Sequence, residues 1–255
     1  VVMGSEWCCR SAIGGCARCR GHGRGCHSIL LVMDVVTRVA PAKLNIALQV
    51  FPPRSDGMHP IRSWMVAIDL CDEIEVTPLS PGSLSRYAIL WHDEAMVPTE
   101  IDWSIQNDLA VRAHHAVEAH VGRELPVQMK LEKRIPVGSG LGGGSSDAAA
   151  MLLSVNAAFD LHLGGEELLA IAATVGSDVP FFLGSGSSIV TGLGERVEAG
   201  PDVPALAVVV ILPDQACSTP DVYRRFDAIN APTSPDATFD AVLAAGPTAT
   251  LFNDL

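Results

Sequence analysis

Residues 133–150 read KRIPVGSGLGGGSSDAAA, and between 138 and 146 every residue except Leu141 is glycine or serine. Such a run either hangs slack between folded parts or is held by them, and its flanks decide which. Before it, Val127, Met129 and Leu131 alternate with Gln128, Lys130 and Glu132, the period of a half-buried strand. After it, residues 147–159 carry an alanine- and leucine-rich helical pattern. A linker would have polar, aperiodic flanks. A strand that feeds a glycine turn opening a helix instead lines up free backbone N–H groups at the positive end of a helix dipole, which makes an anion site. Glycine suits that place because a Cβ would hold a phosphate off the backbone and would penalise positive φ. The reading assigns phosphate binding to Pro136, Val137, Gly138, Ser139, Gly140, Leu141, Gly142, Gly143, Gly144, Ser145 and Ser146, with the last two serines capping the helix or offering hydroxyls to phosphate or Mg²⁺.

Two familiar phosphate loops do not fit. No Gly-Lys-Ser/Thr follows the glycines, so the P-loop pattern fails. Gly138, Gly140 and Gly143 satisfy G-x-G-x-x-G formally, yet the next acidic residue, Asp160, falls between two helical segments and not at the end of a second strand.

Elsewhere the chain reads as mixed α+β. VTRVAPAKLNIALQV (residues 36–50) suggests two short strands around Pro41, residues 54–60 a turn at Asp56-Gly57, and residues 63–70 and 72–76 two more strands. Asn107 is the expected N-cap of a helix over 108–121, with Leu109, Ala113, Val117 and Val121 as its apolar stripe and Gly122 as its stop. A helix over 166–175 ends at Gly176, and strands are expected at 188–191 and 206–212. With 17 Lys plus Arg against 29 Asp plus Glu, a formal net charge of -12 argues against a nucleic-acid backbone as partner. The apolar runs are far shorter than the ~20 residues of a membrane helix.

The stretch from Pro136 to Ala149 closely resembles the second motif of the GHMP kinases. APAKLN (residues 40–45) and GSDVPFF (176–182) resemble the matching segments of the 4-diphosphocytidyl-2-C-methyl-D-erythritol kinases within that superfamily, and DGMH (56–59) falls where those enzymes have D-G-Y-H. The resemblance implies a two-domain fold, with a ribosomal S5 domain 2-like ATP-binding domain over 34–190 and a partial ferredoxin-like domain over 191–255. It implies ATP and Mg²⁺ as cofactors, a cytidyl polyol as substrate, and a cytoplasmic enzyme without nucleic-acid or membrane partner. Asp178 is implied as the base that accepts the proton of the attacking hydroxyl, Lys43 as its catalytic partner, and Asn45 as a substrate or lysine-positioning contact. His59 and Tyr223 match positions that recognise and stack on cytosine. Met58 replaces a second stacking tyrosine, and methionine offers a polarizable sulfur but no aromatic face. Ser146 is the first candidate for a Mg²⁺ ligand.

The two ends are odd. Cys8, Cys9, Cys16, Cys19 and Cys26 crowd the head, leaving Cys71 and Cys217 for the rest. The head is glycine-rich without apolar periodicity, so residues 1–33 are expected to be a disordered or spurious extension, with an alternative start at Met33, and the body to be a reduced protein. At the other end the sequence stops at FNDL (252–255), before the glycine-rich third motif of the family, so 191–255 is expected to be an incomplete domain.

Overall fold

The computed structural model describes residues 34–212, 218–229, 233–247 and 251–255. The cysteine-rich head lies outside these residues. The fold is built on two long antiparallel strands, β1 (Val36–Val50) and β2 (Ile61–Pro78). Each was expected to be two short strands. The alternation breaks because Pro41 pairs with Cys71 while Ala42 pairs with Ile68, leaving Asp69 and Leu70 looped out in a bulge that the strands run straight through. A second irregularity lies between Asn45 and Ala47. Proline is tolerated at a bulge because no ladder N–H is required of it there.

A third strand, β3 (Arg86–Trp91), leads through a 3₁₀ turn at Ile105–Asn107 to helix α1 (Leu109–Val121) and strand β4 (Val127–Lys133). β3 and β4 are parallel, as a helical crossover allows. The cap of α1 is Asp108, not Asn107: its carboxylate accepts from Ala110 N, while Asn107 closes the preceding turn. Gly122 ends α1 in the left-handed region, as expected. Helix α2 (Gly143–Ala158) begins inside the glycine run, four residues ahead of the expected start, and α3 (Gly165–Val175) ends before Gly176. Beyond a 3₁₀ turn at Pro180–Leu183 come strands β5 (Ser187–Gly192) and β6 (Arg196–Ala199), then α4 (Thr219–Ala228), α5 (Asp236–Ala245) and β7 (Phe252–Asn253).

The sheet runs β3-β4-β2-β1-β7, with β5 pairing the first half of β2 and β6 pairing β5. Helices α1, α2 and α3 bury one shared core against it, in which Ile74, Val117, Leu131, Leu152 and Ile171 meet. Residues 206–212, expected as a strand, belong to no ladder; Val210 and Leu212 pack beside Ala42, Ile135 and Leu141, while Val209 and Ile211 face outward. Side-chain alternation survives there, but no neighbouring strand among the described residues supplies hydrogen bonds. Residues from Met33 to Leu255 form one compact unit, and the part beyond residue 190 returns onto the first strand, where Phe239 packs with Trp64 and β7 pairs with Ala47 and Leu48.

One cluster of possible metal ligands among the described residues is structural. His114, His115 and Glu118 bring ligand atoms within 4.8 Å of one another. Both ring nitrogens of buried His114 are already used, by Tyr87 Oη and Leu125 O at 2.8 Å each, so the cluster holds α1 to β3 and to the turn before β4. No helix among the described residues is long and apolar enough to cross a membrane.

Candidate active site

β4 delivers the chain to the glycine run, and its last residue sets the anchor. Buried Lys133 reaches Asp72 Oδ2 and Asp147 Oδ2, each at 2.6 Å, tying the end of β4 to β2 and to α2. Asp72 Oδ1 also accepts from Arg134 N at 2.5 Å and Ile135 N at 2.8 Å, so the loop leaves the sheet at a fixed angle. One ammonium serves two carboxylates. Burial alone would lower the Lys133 pKa, but the Asp147 and Asp72 charges outweigh it and hold the ammonium above its ordinary value. Asp147 is the carboxylate left short: its Oδ1 has no partner, and burial pushes its carboxyl well above the usual range. Sequence reading missed this triad; its signal was a charged residue at the end of an alternating strand and another inside a long one.

The loop itself is a row of left-handed glycines, with φ of 71° at Gly138, 74° at Gly140 and 74° at Gly142. Ser139 Oγ donates to Pro136 O at 2.7 Å and closes the turn. Gly142 is the N-cap of α2 and has no side chain to satisfy the first helical N–H groups, so these carry no side-chain cap. Ser145 and Ser146 therefore do not cap the helix; they lie within its first turn. A cavity of about 440 Å³ opens over the loop, and every residue from Pro136 to Ser145 lines it, together with Lys133, Asp147 and Thr219. Ser146 does not: its buried hydroxyl is unpartnered and its residue lines a different cavity.

β1 runs beside this loop, and Lys43 N donates to Leu141 O at 2.8 Å. Room for the Lys43 side chain depends on Gly142, since a Cβ there would sit 2.9 Å from Lys43 Cγ and 2.9 Å from Phe182 Cζ. The ammonium is 3.7 Å from Asp178 Oδ2, which the turn after α3 presents with its side chain 30% exposed. Asn45 Oδ1 accepts from Lys43 Nζ at 2.6 Å, Asn45 Nδ2 donates to Ser63 Oγ at 2.7 Å, and Ser63 Oγ donates to Ala47 O at 2.9 Å. That chain of bonds fixes where the ammonium points.

An aromatic pole completes the site. His59 Nδ1 is 2.8 Å from Phe51 O, and the His59 ring lies 5.3 Å from that of Tyr223 and 5.7 Å from that of Phe226. Asp227 Oδ1 comes within 3.1 Å of His59 Nε2, off the line of a hydrogen bond. Burial, then the Asp178 charge, pushes the Tyr223 phenol up, so Tyr223 and Asp178 share one environment. Met58 stands beside this pole 53% exposed. The structure thus brings Lys43, Asn45 and Asp178 together beside Leu141 of the loop, with Tyr223 near Asp178 and against His59; none of these five lines the loop cavity itself.

Known proteins resemble this chain. Residues 108–186 match the GHMP kinases N terminal domain. A protein of an Anaeromyxobacter species named 4-diphosphocytidyl-2-C-methyl-D-erythritol kinase is 42% identical over 193 residues, which is 74% of this chain and 60% of that protein. One of the same name from Exiguobacterium sibiricum is 38% identical over 212 residues, 82% of this chain and 70% of that protein. The crystal structure of a 4-(cytidine 5'-diphospho)-2C-methyl-D-erythritol kinase superposes with a TM-score of 0.61 at 32% identity, covering 86% of this chain and 75% of that one. The chain spans 60%, 66% and 62% of three of its curated relatives. With its mixed α+β sheet and glycine loop, the chain belongs to the 4-diphosphocytidyl-2-C-methyl-D-erythritol kinase family of the GHMP kinases.

Proposed function

We propose that the chain transfers the γ-phosphoryl group of ATP to the 2-hydroxyl of 4-diphosphocytidyl-2-C-methyl-D-erythritol, in the cytoplasm, as a step of isoprenoid synthesis. The observation that carries this reading is the approach of Lys43 and Asp178, from opposite ends of the domain, to 3.7 Å beside the glycine loop. Phosphoryl transfer asks a protein for alignment and charge neutralisation more than for covalent chemistry. The uncapped N–H groups of the loop and of α2 hold the triphosphate. Asp178, with its side chain 30% exposed, accepts the proton of the substrate hydroxyl, and Lys43 beside it neutralises charge on the moving phosphoryl group. Asn45 and Ser63 hold the ammonium in place. Tyr223 and His59 form the face for the base, and Met58 flanks it.

Magnesium fits this site. When bound it would neutralise the phosphates. Ser145, which lines the loop cavity, would offer it a hard oxygen donor, and Asp147, whose unpartnered Oδ1 is buried, borders the same cavity.

A coupled assay of ADP release with the cytidyl polyol tests the reading. Turnover that requires this substrate and is abolished in Asp178→Ala supports it. Turnover with a different small alcohol only would assign another acceptor, the outcome favoured by Met58, and ATP binding without turnover would leave a non-catalytic nucleotide module.

A further inference from the structure

Asp178 sits in a corner of the chain that a neighbouring hairpin touches. The turn from Gly176 to Val179 closes through Val179 N, which donates to Gly176 O at 3.2 Å, and Asp178 stands at its third position. Downstream, buried Phe181 packs with Val190 of β5, and Val197 of β6 packs beside them. Upstream, the tip of the same hairpin meets Ser177. β5 and β6 pair as far as Thr191 and Arg196, so Gly192, Leu193, Gly194 and Glu195 form the connection. Gly194 takes a φ of 113°, which L side chains rarely adopt. A Cβ there would stand 2.7 Å from Ser177 O and 2.9 Å from Ser177 Cβ, with backbone on the receiving side. Glu195 stiffens the tip: its Oε2 accepts from Leu193 N at 2.6 Å, and its carboxylate lies over Gly192. Closing a hairpin does not require its tip to touch Ser177, and the consequence of that contact falls on the next residue, Asp178.

We propose that Gly194 is a positioning residue for the phosphoryl transfer: the glycine tip of the β5–β6 hairpin sets the backbone of Ser177 and so fixes where the Asp178 carboxylate stands beside Lys43. The proposal rests on the reading of Asp178 as the base. Gly194 does not line the glycine-loop cavity, so it acts through Ser177 and not on the nucleotide. Asp178 Oδ2 and Lys43 Nζ are 3.7 Å apart, and the attacking hydroxyl must come within hydrogen-bond reach of that carboxylate. Phe181 holds one side of the corner and Gly194 the other. A side chain at position 194 pushes on one support while the other stays, so the corner tilts and Asp178 turns with it. A misplacement of about 1 Å in a reacting group costs on the order of 100-fold.

The test is single-turnover transfer to the cytidyl polyol in a double-mutant cycle of Gly194→Ala and Asp178→Asn, with ATP affinity measured on the same samples. Gly194→Ala should slow transfer about 10-fold or more while ATP affinity stays within about threefold. In the Asp178→Asn background the same change should add less than about twofold, because a residue that acts only through the base has nothing left to position. Gly82→Ala, at a φ of 82° where a Cβ would meet nothing within 4 Å, controls for backbone strain alone and should transfer normally. Should Gly194→Ala fail to fold, Glu195→Ala takes its place in the cycle: it loosens the tip without adding an atom and should slow transfer about threefold to tenfold. A full additional loss in the double variant would show that the tip acts elsewhere. Normal transfer in folded Gly194→Ala, or in Glu195→Ala where it stands in, would show that the corner holds its shape without the tip. Either result overturns the proposal and leaves Asp178 as the base. Transfer at the unmodified rate in Asp178→Asn, or none by the unmodified chain, would overturn that reading and the proposal with it.

Discussion

Replacing Gly142 by alanine separates the backbone demand of the loop from its packing demand. At φ of 74° an L-residue costs roughly 1–2 kcal/mol. The added Cβ would also stand 2.9 Å from both Lys43 Cγ and Phe182 Cζ, closer than real contacts, and overpacking of this kind costs about 1–3 kcal/mol more. Gly122 is the matched control: its φ is 69°, a Cβ there meets nothing within 4 Å, and it caps α1 away from the loop cavity. Denaturant unfolding should therefore show Gly122→Ala down by about 1–2 kcal/mol and Gly142→Ala by about 2–5 kcal/mol. Turnover should separate them further. The clash is relieved by moving the stem of Lys43, and a misplacement of about 1 Å in a reacting constellation costs on the order of 100-fold. Gly122→Ala should turn over normally under conditions where it is folded. Equal destabilisation of the two variants, with turnover intact in Gly142→Ala, would refute the claim that Gly142 is glycine for the sake of Lys43.

Asn45→Ala removes the acceptor that aims the ammonium, so kcat should fall about 10-fold to 100-fold, with nucleotide affinity little changed; a lowered affinity with normal kcat would contradict the positioning role. Asp72→Asn strips Lys133 of one of its two buried partners, and urea unfolding should show a loss of about 3–5 kcal/mol. Met58→Tyr adds an aromatic face beside the base pole and should lower KM for the cytidyl substrate by about 2-fold to 10-fold without altering KM for ATP. Burial depresses the pKa of His114, more than Glu118 and Leu125 O raise it. The folded value thus lies below the ordinary ~6.5, so His114 contributes stability that is complete above that pH and declines as pH falls below it. His114→Gln should flatten that acid limb in pH-dependent melting.

How much of this was legible beforehand differs by feature, for physical reasons. The glycine loop and α1 announced themselves through flanking periodicity and through Gly122. The start of α2 did not, because glycine and serine carry little helix propensity; the first turn is set by tertiary packing, in which Gly143 sits against Ile135 and Asp72. β1 and β2 looked broken at Pro41 and near Cys71 because a bulge inverts the in-out alternation on which strand reading depends. Lys43 and Asp178 came from motif resemblance, and their meeting is a property of topology that no local pattern encodes. The Asp72–Lys133–Asp147 triad went unread for the same reason. Each member sits in a segment that reads well without it, and only the sheet register brings Asp72 beside the end of β4. Ser146 was expected at the metal; its hydroxyl is buried and its residue borders a different cavity from the glycine loop's.

The central claim is that Asp178, held beside Lys43 at the glycine loop, accepts the proton of an attacking hydroxyl. Single-turnover transfer from γ-labelled ATP to the cytidyl polyol, compared between the unmodified chain and Asp178→Asn with ATP affinity measured alongside, tests it most directly. The account predicts ATP affinity within a few-fold and transfer slowed by about 100-fold or more; transfer at the unmodified rate in Asp178→Asn would contradict it.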